Sequence, residues 1–88
     1  DDAGSWRSLA RTRGTDADGN TVDGRHLGLG TRGCIIRGEG NHLIVTIGLE
    51  DCIVVHTPDA TLVARKQDEE SVRQAVAMIQ QQGWEEYL

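Results

Sequence analysis

At 88 residues the chain has room for one small domain. Asp and Glu outnumber Lys and Arg by 14 to 9, and the resulting net charge of −5 argues against a general binder of nucleic acid or of anionic membranes. With no run of 18 apolar residues and no signal-peptide pattern, the expectation is a soluble, cytoplasmic protein. Its start at Asp1-Asp2, without Met, reads as a piece cut from something longer.

The first predicted element is a helix over Ser5 to Arg13. Trp6, Leu9 and Ala10 fall at i, i+3 and i+4 on one face. Asp2 and Ser5 are candidate N-caps, Arg11 and Arg13 suit the negative end of the dipole, and Gly14 suits a left-handed exit. Thr15 to Gly24 is polar and turn-rich, with Asp18-Gly19-Asn20 as a hairpin or loop signal. Its alternating Asp16, Asp18 and Asn20 brush against a calcium loop. The pattern then fails: Thr21 stands where glycine is needed and Leu27 where a bidentate Glu belongs. A solvated hairpin is the plainer reading.

A beat follows. The apolar runs beginning at Cys34, Leu43, Cys52 and Leu62 start nine, nine and ten residues apart. Glycine-rich or turn-forming segments separate them, as in a sandwich, a meander or the coils of a β-solenoid. Thr57-Pro58-Asp59 reads as a tight corner between two extended segments, since Pro fixes φ and Asp can bond nearby backbone. Asp68 to Gln82 is the clearest helix, capped by Asp68 and ended by Gly83. Its stripe Val72, Ala75, Val76 and Ile79 is expected to lie on the strands. The tail Trp84 to Leu88 is left open between docking and fraying.

Chemistry is sparse. His26, His42 and His56 lack ligand spacing, and Cys34 and Cys52 lack the paired motif that anchors zinc. Each cysteine begins an apolar run, so both are expected as buried, reduced thiols. No glycine loop with a following Lys is present to cradle phosphate. Arg25, Arg32 and Arg37 could meet a phosphate, though surface solvation is the simpler explanation. The residues alone describe a β-rich module with two helices and no complete catalytic site.

Read in order, DDAGSW, DADGNTVDG and GLEDCIVVHTPDATLVARKQDEESVRQAV resemble the carboxyl-terminal part of bacterial mannose-1-phosphate guanylyltransferase, also called GDP-mannose pyrophosphorylase. The resemblance runs from Asp2 to about Ile79. It implies a parent enzyme whose larger, Rossmann-like amino-terminal domain joins mannose 1-phosphate to GTP, with Mg2+ neutralising the phosphates. That domain's nucleotide loop is not in this sequence. By position the resemblance makes Asp2 a magnesium ligand whose partner aspartate would lie in the other domain. It places Gly4 and Ser5 beside the substrate, with Trp6 behind them. His56 departs from the aspartate usual before the Thr-Pro-Asp corner, a scaffold position. The histidine-rich isomerase motif is missing, so isomerase activity is not implied.

The expected fold is therefore mainly β with two flanking helices: a short left-handed β-helix-like (solenoid) domain with the C-terminal helix packed on its strands. Residues 1–14 would end the nucleotidyltransferase domain, 15–66 form the β-helix-like domain, and 67–88 the C-terminal helix and tail. The expected role is scaffold, inactive alone and partnered by the catalytic domain, which would supply the contacts to GTP and mannose 1-phosphate. The rival reading is a free-standing module that self-associates into a homo-oligomer through its strands, using Trp6, Leu9, Leu27 and Leu29.

Overall fold

The computed structural model describes residues 2–88, with side chains from Ser8 onward. Helix α1 (Asp2–Arg13) is followed by six strands: β1 (Thr21–Asp23), β2 (Arg25–Leu29), β3 (Ile35–Arg37), β4 (Leu43–Ile47), β5 (Cys52–His56) and β6 (Thr61–Arg65). A short 3₁₀ turn, Lys66–Asp68, leads into helix α2 (Glu69–Gln81), and a second covers Glu85–Tyr87. The strands form a four-stranded sheet in the order β1-β3-β5-β6 and a two-stranded sheet, β2-β4.

The pairing register shows how the sequence builds this. Arg25 lies beside Leu43, Ile35 beside Ile53, and Arg32 beside Glu50, all parallel and all eighteen residues apart. The nine-residue beat is thus half a rung, and alternate runs fall in different sheets. The first rung is shorter, with Thr21 beside Ile35, fourteen residues on. Strand β1 lies inside the stretch Thr15 to Gly24 that reads as turn-rich, because it owes its extended form to pairing with β3 rather than to its own residues.

Thr61 stands eighteen residues after Leu43, where a third strand beside β4 would fall. The chain turns back instead: Thr57 donates its N–H to the Ala60 carbonyl at 2.9 Å, and β6 pairs antiparallel with β5. The expected corner is present, but its organiser is Thr57, whose Oγ1 accepts from the N–H of Asp59 and Ala60. Among the described residues no strand pairs with the outer edge of β4. Val63, paired with interior Val54, is left 63% exposed.

Side chains alternate across the larger sheet and fill two small cores. Cys34, Ile36 and Val54 point to the rung interior, with Val22, Ile44, Leu49 and Cys52 around them. Ile35 and Ile53 point the other way, onto Val72 of α2, with Leu9 and Ala10 of α1 alongside. Leu9 is therefore core rather than docking surface. The α2 stripe is covered only in part: Val72 is buried and Ile79 half-buried, whereas Ala75 and Val76 are exposed. Asp68 precedes α2 as expected, yet its carboxylate accepts from Arg65 Nε at 2.7 Å and makes no capping bond. Ser5 lies inside α1, which begins at Asp2, instead of capping it.

Two corner glycines separate conformation from crowding. Gly48 has φ +67° with open space around it, whereas Gly24 has φ +112° and a Cβ there would lie 2.9 Å from the Gly38 carbonyl oxygen. Gly48→Ala is expected to cost about 1–2 kcal/mol, the left-handed penalty alone. Gly24→Ala should cost at least about twice that, because backbone must move as well. Urea denaturation of both variants measures the difference.

Candidate functional site

The rung interior is partly polar, and each polar group there has a partner. Asn20, 5% exposed, ends the loop after α1. Its Nδ2 donates to the Thr31 carbonyl at 2.9 Å, and its Oδ1 accepts the Cys34 N–H at 2.9 Å. One side chain thereby ties the first rung to the second. Sequence reasoning reads Asn20 as a turn residue and misses this role, since its partners lie eleven and fourteen residues on. Thr31 Oγ1 and Thr46 Oγ1 meet at 2.7 Å, and His26 Nε2 reaches Thr46 Oγ1 at 2.8 Å. Burial pushes the His26 imidazole below its ordinary range, with nearby Asp16 partly opposing the shift.

The two cysteines occupy equivalent positions one rung apart. Cys34 is fully buried and Cys52 half-buried, and both are free thiols. Cys34 Sγ donates to the Arg32 carbonyl at 3.3 Å and receives the Cys52 N–H at 3.5 Å, and Cys52 Sγ donates to the Glu50 carbonyl at 3.2 Å. Burial pushes the Cys34 thiol up, away from the nucleophilic thiolate.

The remaining candidates do not converge on one site. Asp16 Oδ1 accepts the N–H groups of Asp18 and Asn20, both at 2.9 Å, so this carboxylate closes its own loop. That loop joins a helix to a strand and is no hairpin. His42 and His56 stack face to face, with ring centroids 3.5 Å apart and planes 5° from parallel. In that geometry their in-plane lone pairs do not aim at a shared ion. Arg25, Arg32 and Arg37 are exposed on separate segments. A shallow depression of about 260 Å³ is lined by Arg13, Gly14, Thr15, Asp16, Asn20 and Val22. Arg13 is already engaged there, 3.7 Å from the Asp23 carboxylate. Among the described residues no three His, Cys, Asp or Glu side chains gather where a metal ion could be held. Asp2, Gly4 and Ser5, the positions carried over by resemblance, lie with Trp6 in the first turns of α1, where the structure describes the backbone alone.

The model of one family, the mannose phosphate isomerase/GMP-like β-helix domain, matches residues 24–79. The chain belongs to this family. Its relatives are larger proteins, each similar to it over one part. It is 39% identical over 82 residues to alginate biosynthesis protein AlgA of Pseudomonas syringae pv. tomato, covering 93% of this chain and 17% of that one. It is 36% identical over 87 residues to mannose-1-phosphate guanylyltransferase 2 of Escherichia coli O157:H7, covering 99% and 18%. A crystal structure from Thermus thermophilus, named a mannose-1-phosphate geranyltransferase, superposes with a TM-score of 0.72 at 32% identity. That match covers 91% of this chain and 24% of the other. The chain thus spans between about a sixth and a quarter of the proteins it matches, in their C-terminal part.

Two outcomes test the polar interior of the β-helix domain. Asn20→Ala strands a buried N–H and a buried carbonyl and should cost about 3 kcal/mol in chemical denaturation. Asn20→Asp should not rescue it, because a carboxylate cannot donate to Thr31. His26 is held neutral in the fold, so its contribution is present above the ordinary imidazole pKa of about 6.5. As pH falls below that value toward the depressed folded one, the unfolded state binds the proton first and stability is lost. The melting temperature should fall between pH 7.5 and 5.5, and less steeply in His26→Gln.

Proposed function

We propose that this chain is the C-terminal β-helix domain of an enzyme that makes GDP-mannose from mannose 1-phosphate and GTP, and that it serves as a rigid support, not as the catalyst. The observation that carries this reading is the family match over residues 24–79. The interior agrees with it: the polar groups are spent on one another, and the thiols are buried or bonded to backbone. On this reading α1, within residues 1–14, ends the catalytic domain, residues 15–66 form the β-helix-like unit, and 67–88 close it. The eighteen-residue rung is read as left-handed, on likeness to the family.

The partner is the N-terminal catalytic domain of the same protein, which would bind GTP and mannose 1-phosphate. Magnesium belongs to that larger protein. Asp2 is proposed as one of its ligands, with Gly4 and Ser5 beside the substrate, and the residues described here build no step through the ion. A cytoplasmic location follows from the soluble nucleotide and sugar phosphate. Among the described residues no helix is long and apolar enough to cross a membrane.

A graft tests the proposal. The corresponding C-terminal segment of the E. coli guanylyltransferase is replaced by this chain, and pyrophosphate release from GTP and mannose 1-phosphate is followed. Turnover within about tenfold of the parent, with none from the 88-residue chain alone, is the expected result. Turnover from the chain alone would refute the supporting role. A folded graft without turnover would refute the guanylyltransferase assignment.

A further inference from the structure

Cys34 and Cys52 repeat one position on successive rungs. Each immediately precedes its member of the parallel pair Ile35–Ile53, so the same face of the chain carries both toward the rung interior. Parallel neighbours lie about 4.8 Å apart, inside the span of about 4.4–6.8 Å between Cα atoms that a disulfide bridges. The sulfur position agrees. Cys34 Sγ sits 3.5 Å from the Cys52 backbone nitrogen. One N–Cα bond of about 1.5 Å then places it within about 5 Å of the Cys52 Cα. Rotation of the Cys52 side chain about its Cα–Cβ bond is the movement that closes the remaining gap.

Neither thiol is held by a bond that resists this movement. Cys34 Sγ donates to the Arg32 carbonyl at 3.3 Å, and that carbonyl keeps the Asp51 N–H at 3.0 Å when the thiol leaves. Cys52 Sγ donates to the Glu50 carbonyl at 3.2 Å, an exposed bond that water replaces. Access separates the two. Cys34 is fully buried and Cys52 half-buried, so a small oxidant meets Cys52 first. The reduced pair seen here is the form that a thiol-reducing compartment maintains.

We propose that Cys34 and Cys52 form a reversible disulfide when hydrogen peroxide is the oxidant, with Cys52 reacting first, and that this bond staples the second rung to the third. The Cys52 sulfur attacks one peroxide oxygen, the O–O bond breaks, and the departing hydroxide takes the thiol proton as water, leaving a sulfenic acid. The Cys34 sulfur then attacks the Cys52 sulfur. The S–O bond breaks and the hydroxyl leaves as water with the Cys34 proton. Two thiols and one peroxide thus become one disulfide and two waters. The inference is independent of which reaction the domain supports.

Intact mass and tryptic mapping of the 88-residue chain after peroxide treatment test it. Cleavage after Arg32, Arg37 and Arg65 places the cysteines in separate peptides, 33–37 and 38–65. The monomeric chain is expected to lose two hydrogen atoms, and those two peptides should stay joined until dithiothreitol parts them. Cys34→Ser should stop at a sulfenic acid on Cys52, trapped by dimedone. Cys52→Ser should lose its remaining thiol at least about 10-fold more slowly than the unaltered chain loses its pair. An unaltered chain that gains oxygen while the peptides stay apart, or that joins them only between chains, overturns the proposal without appeal to a variant. Equally fast thiol loss from folded Cys52→Ser overturns it as well.

Discussion

Parallel backbone pairing between segments eighteen residues apart is the constraint from which the remaining structure follows. Gly48 donates to the Leu29 carbonyl and Asp51 to the Arg32 carbonyl, each link carrying the chain one step along the stack. Because side chains alternate along a strand, this pairing decides which residues meet inside. Cys34 comes to lie beneath Cys52, Ile36 beside Val54, and Thr46 against Thr31. Slipping one segment by a residue would turn Ile36 out and Arg37 in. The interior hydrogen bonds of Asn20 lock that register where the first, shorter rung gives the pattern least help.

Much of this was legible beforehand, and the gaps have physical causes. The strands β3, β4, β5 and β6 announce themselves through β-branched runs, and α2 through its caps and stripe. Gly83 closes α2 as expected: Gly83 and Trp84 donate to the Gln80 and Ile79 carbonyls, the paired bonds of a left-handed helix end. Strand β1 was hidden because Thr-Val-Asp has little apolar content and gains its order from a neighbour fourteen residues away. Asn20 was hidden for the same reason, since only the fold reveals that a turn-forming side chain is buried. The spacing of the runs was visible, but not that two beats make one rung.

The functional reading rests on a different balance. Family membership came from sequence motifs that belong to scaffold: the corner at Thr57 to Asp59, the run Ile53 to Val55, and the helix after Asp68. Among the described residues every buried polar side-chain atom has a partner, and the apolar core is small. The outer face of β2 and β4 meanwhile carries exposed Leu27, Leu29, Leu43, Val45 and Ile47.

The register itself is open to direct measurement. Scalar couplings across hydrogen bonds in an isotopically labelled sample report donor and acceptor by residue, without reference to shape. The account predicts couplings from the Gly48 amide to the Leu29 carbonyl carbon and from the Asp51 amide to that of Arg32. Couplings linking Arg32 or Leu29 to partners nine residues away, or the pattern of an antiparallel meander, would contradict it.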